Sequence, residues 1–93
     1  MRNFKVGDIV KHFKRELLYP LGSDGTDYLY KIIGIANHTE TGEKLVIYQA
    51  LYQNDKVSFD IYARPYDMFM SEVDREKYPT VKQQYRFSLY KGA

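Results

Sequence analysis

Residues 28–52, YLYKIIGIANHTETGEKLVIYQALY, decide the fold. The opening run YLYKIIGIA is β-branched and aromatic and too short for a comfortable helix, so it predicts a strand. Gly34 inside it points to a bulge or bend, the device by which a small sheet curls. NHTETGEK predicts a turn, with Gly42 free to take a positive φ. LVIYQALY is the returning strand. Tyr48 and Tyr52 stand four apart on it and share a face, with Tyr48 expected in the core and Tyr52 at the rim with its hydroxyl exposed. Within the turn, Thr and Glu side chains suit bonds to backbone amides. An imidazole is not required there, so His38 is expected to project from it.

Downstream, QNDK makes a short hairpin connection into VSFDIYA, whose alternation places Val57, Phe59 and Ile61 inward and Ser58, Asp60 and Tyr62 outward. Upstream, VGDIVKHF is a first strand with Ile9, Lys11 and Phe13 on one side and Val10 and His12 on the other. KRELLYPLGSDGTD follows as a long loop, with residues 15–27 as an insert. Pro65 sits where a helix tolerates it, predicting one helical turn that buries Met68 and Phe69. Ser71 and Asp74 resemble a capping box for a second short helix over 72–77, which Pro79 stops. QYRFSLY closes the pattern as a last strand. Five strands with one or two helical turns before the last predict a mainly all-β chain. The expected architecture is a small SH3-like five-stranded barrel, a single domain over 1–93 with first and last strands adjacent.

The charge is unevenly spread. Residues 1–15 hold five bases against Asp8, a balance of +4, and residues 77–93 hold four bases and no acid. Residues 16–76 carry eleven acids and five bases. Adjacent terminal strands would merge the basic ends, Lys11, Lys14, Lys82 and Arg86 included, into one surface of about eight positive charges. With no cysteine, disulfides, thiolate nucleophiles and zinc ribbons are excluded, and a cytoplasmic setting is compatible. No signal peptide and no membrane-length apolar run are visible.

Catalytic patterns are wanting. His12 and His38 are the two histidines. Only Glu40 stands near His38, so no spacing matches a metal site and no cofactor is expected. No serine lies in an elbow motif, and LGSDGTD lacks a phosphate-loop lysine. An enzyme is therefore not the expectation. Ten tyrosines and five phenylalanines without tryptophan suit either a core or a binding face. Arg64 before Pro65 has two readings, a clamp on backbone carbonyls or a fork for a carboxylate, phosphate or base edge.

GDIVKHFK, GIANHTETGEKLVIYQALY, ARPYDMF and the final YRF together resemble a family of short bacterial proteins, Domain of Unknown Function 1653. The likeness runs over most of residues 7–87 and implies an SH3-like barrel, with no established activity. The family's motif positions fall here on Gly7, His12, Phe13, Lys14, His38, Glu40, Thr41, Tyr48, Leu51, Tyr52, Arg64, Pro65, Met68 and Phe69. Two departures stand out. This chain carries Arg15 and ELLYPLGSDGTD where the family passes quickly into the next strand. It also has Tyr62-Ala63 where the family favours tryptophan-valine, which removes a tryptophan stacking platform.

His12, Lys14, His38, Glu40, Tyr52 and Arg64 are the candidate ligand-binding residues, with Lys11, Lys82 and Arg86 as the basic surface. The expected function is a non-enzymatic binding module for an anionic ligand, single-stranded nucleic acid or a nucleotide. The alternative is an SH3-type module docking an extended peptide in a tyrosine-lined groove. Oligomeric state is left open.

Overall fold

Antiparallel pairing organises the whole chain. The computed structural model describes residues 4–18 and 25–91. Its strands are β1 (Ile9–His12), β2 (Leu29–Asn37), β3 (Lys44–Ala50), β4 (Ile61–Pro65) and β5 (Phe87–Leu89), with one helical turn, α1 (Tyr66–Phe69). They form one five-stranded sheet in the order β4-β3-β2-β1-β5. The terminal strands do lie together, Lys11 opposite Ser88 and His12 opposite Phe87. No ladder joins β4 to β5, so the sheet is open, with these two strands as its edges. Among the described residues no helix is long and apolar enough to cross a membrane.

The turns follow from their residues. Gly7 takes φ +94° and Gly42 φ +75°, conformations a side chain would strain. The β2–β3 register shifts between Ile32 and Gly34, a bulge where glycine was expected to bend the strand. At the short QNDK connection the Asn54 side-chain oxygen accepts the amides of Lys56 and Val57 at 2.8 and 2.9 Å.

Inward residues of all the ladders meet in one aromatic core. Val10, Tyr30, Ile32, Val46, Tyr48, Ala50, Tyr52, Phe69 and Phe87 are buried together. Phe69 and Phe87 stack at 4.0 Å with planes 7° apart, fastening α1 and β5 to the sheet. Truncating either to alanine should cost about 3–5 kcal/mol. A smaller cluster of Phe13, Val73 and Val81 sits beside it.

Four expectations fail, each for a local reason. The 57–63 strand is displaced to β4, Ile61–Pro65. Val57 packs inward and Ser58 and Asp60 face out as expected, but Phe59, Ile61 and Tyr62 exchange faces. Phe59 and Ile61 are exposed while Tyr62 packs against the core. Phe59 adopts φ +54°, and one left-handed residue breaks the alternation. Met68 is exposed and only Phe69 of α1 is buried, because one turn presents a single face. Residues 72–77 form no helix. The Asp74 side-chain oxygen caps a plain turn by accepting the Glu76 and Lys77 amides, and Ser71 donates back to the Met68 carbonyl. The long loop begins as a 3-10 helix, Phe13–Leu17. The middle of the insert, residues 19–24, lies outside the described residues.

Candidate functional site

His12 ends β1, and its imidazole folds back on its own chain. Its Nδ1 accepts the Lys14 amide at 3.1 Å and so starts the 3-10 helix that carries Lys14. With Nδ1 an acceptor, the proton of the neutral ring belongs on Nε2. The ring stacks on Phe13 at 4.4 Å and meets Phe87 edge-on at 5.1 Å. Burial, then the charges of Arg64, Arg86 and Lys14, push its pKa down to about 3. His12 is therefore a neutral hydrogen-bond donor at ordinary pH.

Three cations surround it, each delivered by a different segment. Lys14 comes from the 3-10 helix. Arg64 comes from β4, opposite Val46, and its Nε donates to the Tyr48 hydroxyl at 3.0 Å. Arg86 immediately precedes β5, and its Nε donates to the Ser71 hydroxyl at 3.2 Å. Arg86 is held below the usual arginine range by burial and then by the charge of Arg64. Among the described residues no carboxylate bonds either guanidinium.

The preceding segment is anchored firmly, which fixes Arg86. The Glu16 carboxylate accepts the Lys82 and Gln83 amides at 2.9 and 2.7 Å. The Gln83 amide donates to the Lys11 and Tyr85 carbonyls, and Arg75 donates to those of Val81 and Gln83.

His12, Lys14 and Arg64 line two neighbouring compartments. One, about 290 Å³, adds Arg86, Lys77, Asp74, Phe13 and Tyr78. The other, about 200 Å³, adds Tyr28, Tyr30, Tyr48, Tyr62 and Phe87. A cationic half thus adjoins a tyrosine half. Tyr28 holds φ +62°, a strained state for an aromatic residue. That backbone places its ring 5.9 Å from both His12 and Tyr52. A separate hollow of about 210 Å³ by Phe4, Val6 and Ile35 has no charged lining among the described residues.

The expected site residues divide accordingly. His12, Lys14, Arg64 and Arg86 converge. His38 and Glu40 sit in the β2–β3 turn, at the end of β2 away from Tyr28. The His38 imidazole does not project. Its Nδ1 accepts the Glu40 and Thr41 amides at 3.0 and 3.3 Å. Tyr52 is buried rather than at the rim, its hydroxyl 2.8 Å from that of Tyr30. Lys11 and Lys82 stand outside both compartments. Lys77, Tyr28 and Tyr62 line the cleft without having been singled out. Lys77 was legible only as part of the basic tail, and Tyr62 was assigned the wrong face.

A family model described as "Protein of unknown function (DUF1653)" matches residues 8–89, which span β1 through β5. The chain belongs to this family. Every cleft residue named above falls inside the matched range. No curated protein and no solved structure matches the chain.

Proposed function

We propose that this member of DUF1653 is a non-enzymatic binding module for single-stranded nucleic acid or a nucleotide. The observation that carries the reading is the group of Lys14, Arg64 and Arg86 around a neutral His12, with no carboxylate among the described residues bonded to either arginine, beside a wall of tyrosines. Phosphate suits the fork-like guanidiniums, and a base suits the half-buried faces of Tyr28 and Tyr62. An SH3-like architecture belongs to the same proposal, supported by strand number and by the pairing of β1 with β5. So does a bacterial cytoplasmic setting, in keeping with a cysteine-free chain.

The test is fluorescence anisotropy of a labelled mixed-sequence single-stranded RNA at low and physiological salt. Arg64→Ala and Lys14→Ala are run beside Lys44→Ala, a change on the opposite hairpin. Three phosphate-facing cations predict a log–log salt slope of about −2. Both cleft variants should lose binding and the hairpin variant should keep it. Absence of binding at low salt would defeat the proposal.

A second reading, docking of an extended peptide, draws on one observation. Tyr28 also lines a hollow of about 260 Å³ with Leu18, Tyr52 and Val57, which extends the tyrosine groove. Such binding should respond little to salt.

A further inference from the structure

The cationic compartment is over-supplied with positive charge for a nucleic-acid backbone. Lys14, Lys77, Arg64 and Arg86 face it from four segments. Among the described residues Asp74 is the one acid in its lining. Its Oδ1 is engaged in capping its own turn through the amides of Glu76 and Lys77. The balance of these groups is three positive charges. A phosphodiester brings one negative charge, and a terminal phosphomonoester above its second ionisation brings close to two.

The donors are also fixed before any ligand arrives. Arg64 and Arg86 each spend Nε on a hydroxyl, Tyr48 and Ser71. This sets the plane of each fork and leaves the terminal nitrogens to an anion. His12 adds an N–H without adding charge. Its Nδ1 is occupied by the Lys14 amide. No buried side-chain nitrogen or oxygen among the described residues lacks a partner. Since Nε2 bonds no atom of the described residues and His12 lines the cleft, it opens there.

A phosphomonoester offers three unesterified oxygens to this set of donors, and a diester offers two. Among the described residues no carboxylate bonds Arg64 or Arg86, so the charge of Arg64 still disfavours that of Arg86. An anion between them relieves this in proportion to its charge. Building on the nucleotide reading above, we infer that the cleft selects a terminal phosphomonoester, the phosphorylated end of a nucleotide or oligonucleotide, over the diester of a chain interior. The cationic compartment holds the phosphate, and the adjoining tyrosine compartment takes the nucleoside.

Calorimetric titration with adenosine 5′-monophosphate, its methyl phosphodiester and adenosine tests this, since the first two differ by one charge on the same scaffold. At physiological salt the monoester should bind at least about tenfold tighter than the methyl ester. Arg86→Gln should shrink that preference to about threefold or less. Lys77→Gln, a change on an exposed side chain, should lower the preference without endangering the fold. Equal binding of monoester and methyl ester would overturn the terminal-phosphate inference and leave the nucleotide reading standing. Failure of all three ligands and of the RNA above would overturn both.

Discussion

His12 and His38 perform the same task at the two ends of β2. Each imidazole turns its Nδ1 onto a backbone amide two residues ahead, Lys14 for His12 and Glu40 for His38, at 3.1 and 3.0 Å. The ring thereby imitates the side-chain oxygen of an Asx turn. The environments then separate them. His12 is buried among cations, whereas His38 stands in an open hairpin. One geometry serves a site in the first case and a turn in the second.

That burial makes His12 a source of acid sensitivity. The unfolded imidazole titrates near 6.5 and the folded one near 3, so the unfolded chain binds the extra proton first. Stability from this group is fully present above pH 6.5 and drains away as pH falls toward 3, where the loss is complete. The total is on the order of 5 kcal/mol. Urea midpoints across this range should fall steeply for the wild type. They should fall less for His12→Asn, which keeps an amide acceptor but cannot titrate. Equal slopes would remove His12 from the account.

Phe59 carries φ +54° with a half-exposed ring. A left-handed backbone costs a non-glycine residue about 1–2 kcal/mol. Glycine removes that strain but gains entropy in the unfolded chain. The buried half of the ring is worth about 1 kcal/mol, so Phe59→Gly should leave stability within about 0.5 kcal/mol of wild type. Phe59→Ala, which loses the ring and keeps the strain, should cost about 1 kcal/mol, both read as urea midpoints at unchanged slope. Tyr28→Gly relieves the same strain but forfeits the ring contacts with His12 and Tyr52, so no gain is expected there. A stabilised Tyr28→Gly that still bound RNA would deny Tyr28 any part in the site.

Strands β1, β2 and β3 were legible because their apolar runs are bounded by the turn residues Gly7 and Gly42, with Gly34 marking the bulge inside β2, and β5 from the alternation of QYRFSLY. The face of β4 was not. Its alternation is interrupted by Phe59, a residue type that gives no warning of a positive φ. His12, Lys14, Arg64 and Arg86 were each visible as candidates, but their meeting depends on β1 pairing with β5 and on the anchoring of the 70–86 segment by Glu16, Gln83 and Arg75. These are contacts between distant parts of the chain with no local signature. His38 and Tyr52 were misjudged for a common reason. A polar atom on a ring was expected to seek solvent or ligand, and here each finds a partner inside the protein.

The Tyr30 and Tyr52 hydroxyls satisfy one another at 2.8 Å in the core, and burial raises the pKa of both. Tyr52→Phe leaves the Tyr30 hydroxyl without its partner and should cost about 1–3 kcal/mol. Adding Tyr30→Phe removes the orphaned group. The double variant should thus be less destabilised than the two single costs combined, by about 1 kcal/mol. Simple additivity in denaturant titrations would show that the hydroxyls act independently.

Arg64 joins the core to the cleft, and lysine separates its two roles. Its Nε bond to Tyr48 orients the fork, and its ring-face contact with Phe87 at 5.8 Å braces it. Arg64→Lys keeps the charge but loses the planar fork and the directed Nε donor. The Tyr48 hydroxyl then loses its donor, which should cost stability about 1 kcal/mol. If the cleft needs fixed donors, Arg64→Lys should weaken RNA binding about tenfold or more, nearly as much as Arg64→Ala, with the salt slope almost unchanged. If the cleft needs charge alone, the lysine variant should bind like wild type while alanine loses both affinity and about one unit of slope. Anisotropy titrations of the three proteins at two salt concentrations decide between a preorganised fork and a simple electrostatic patch.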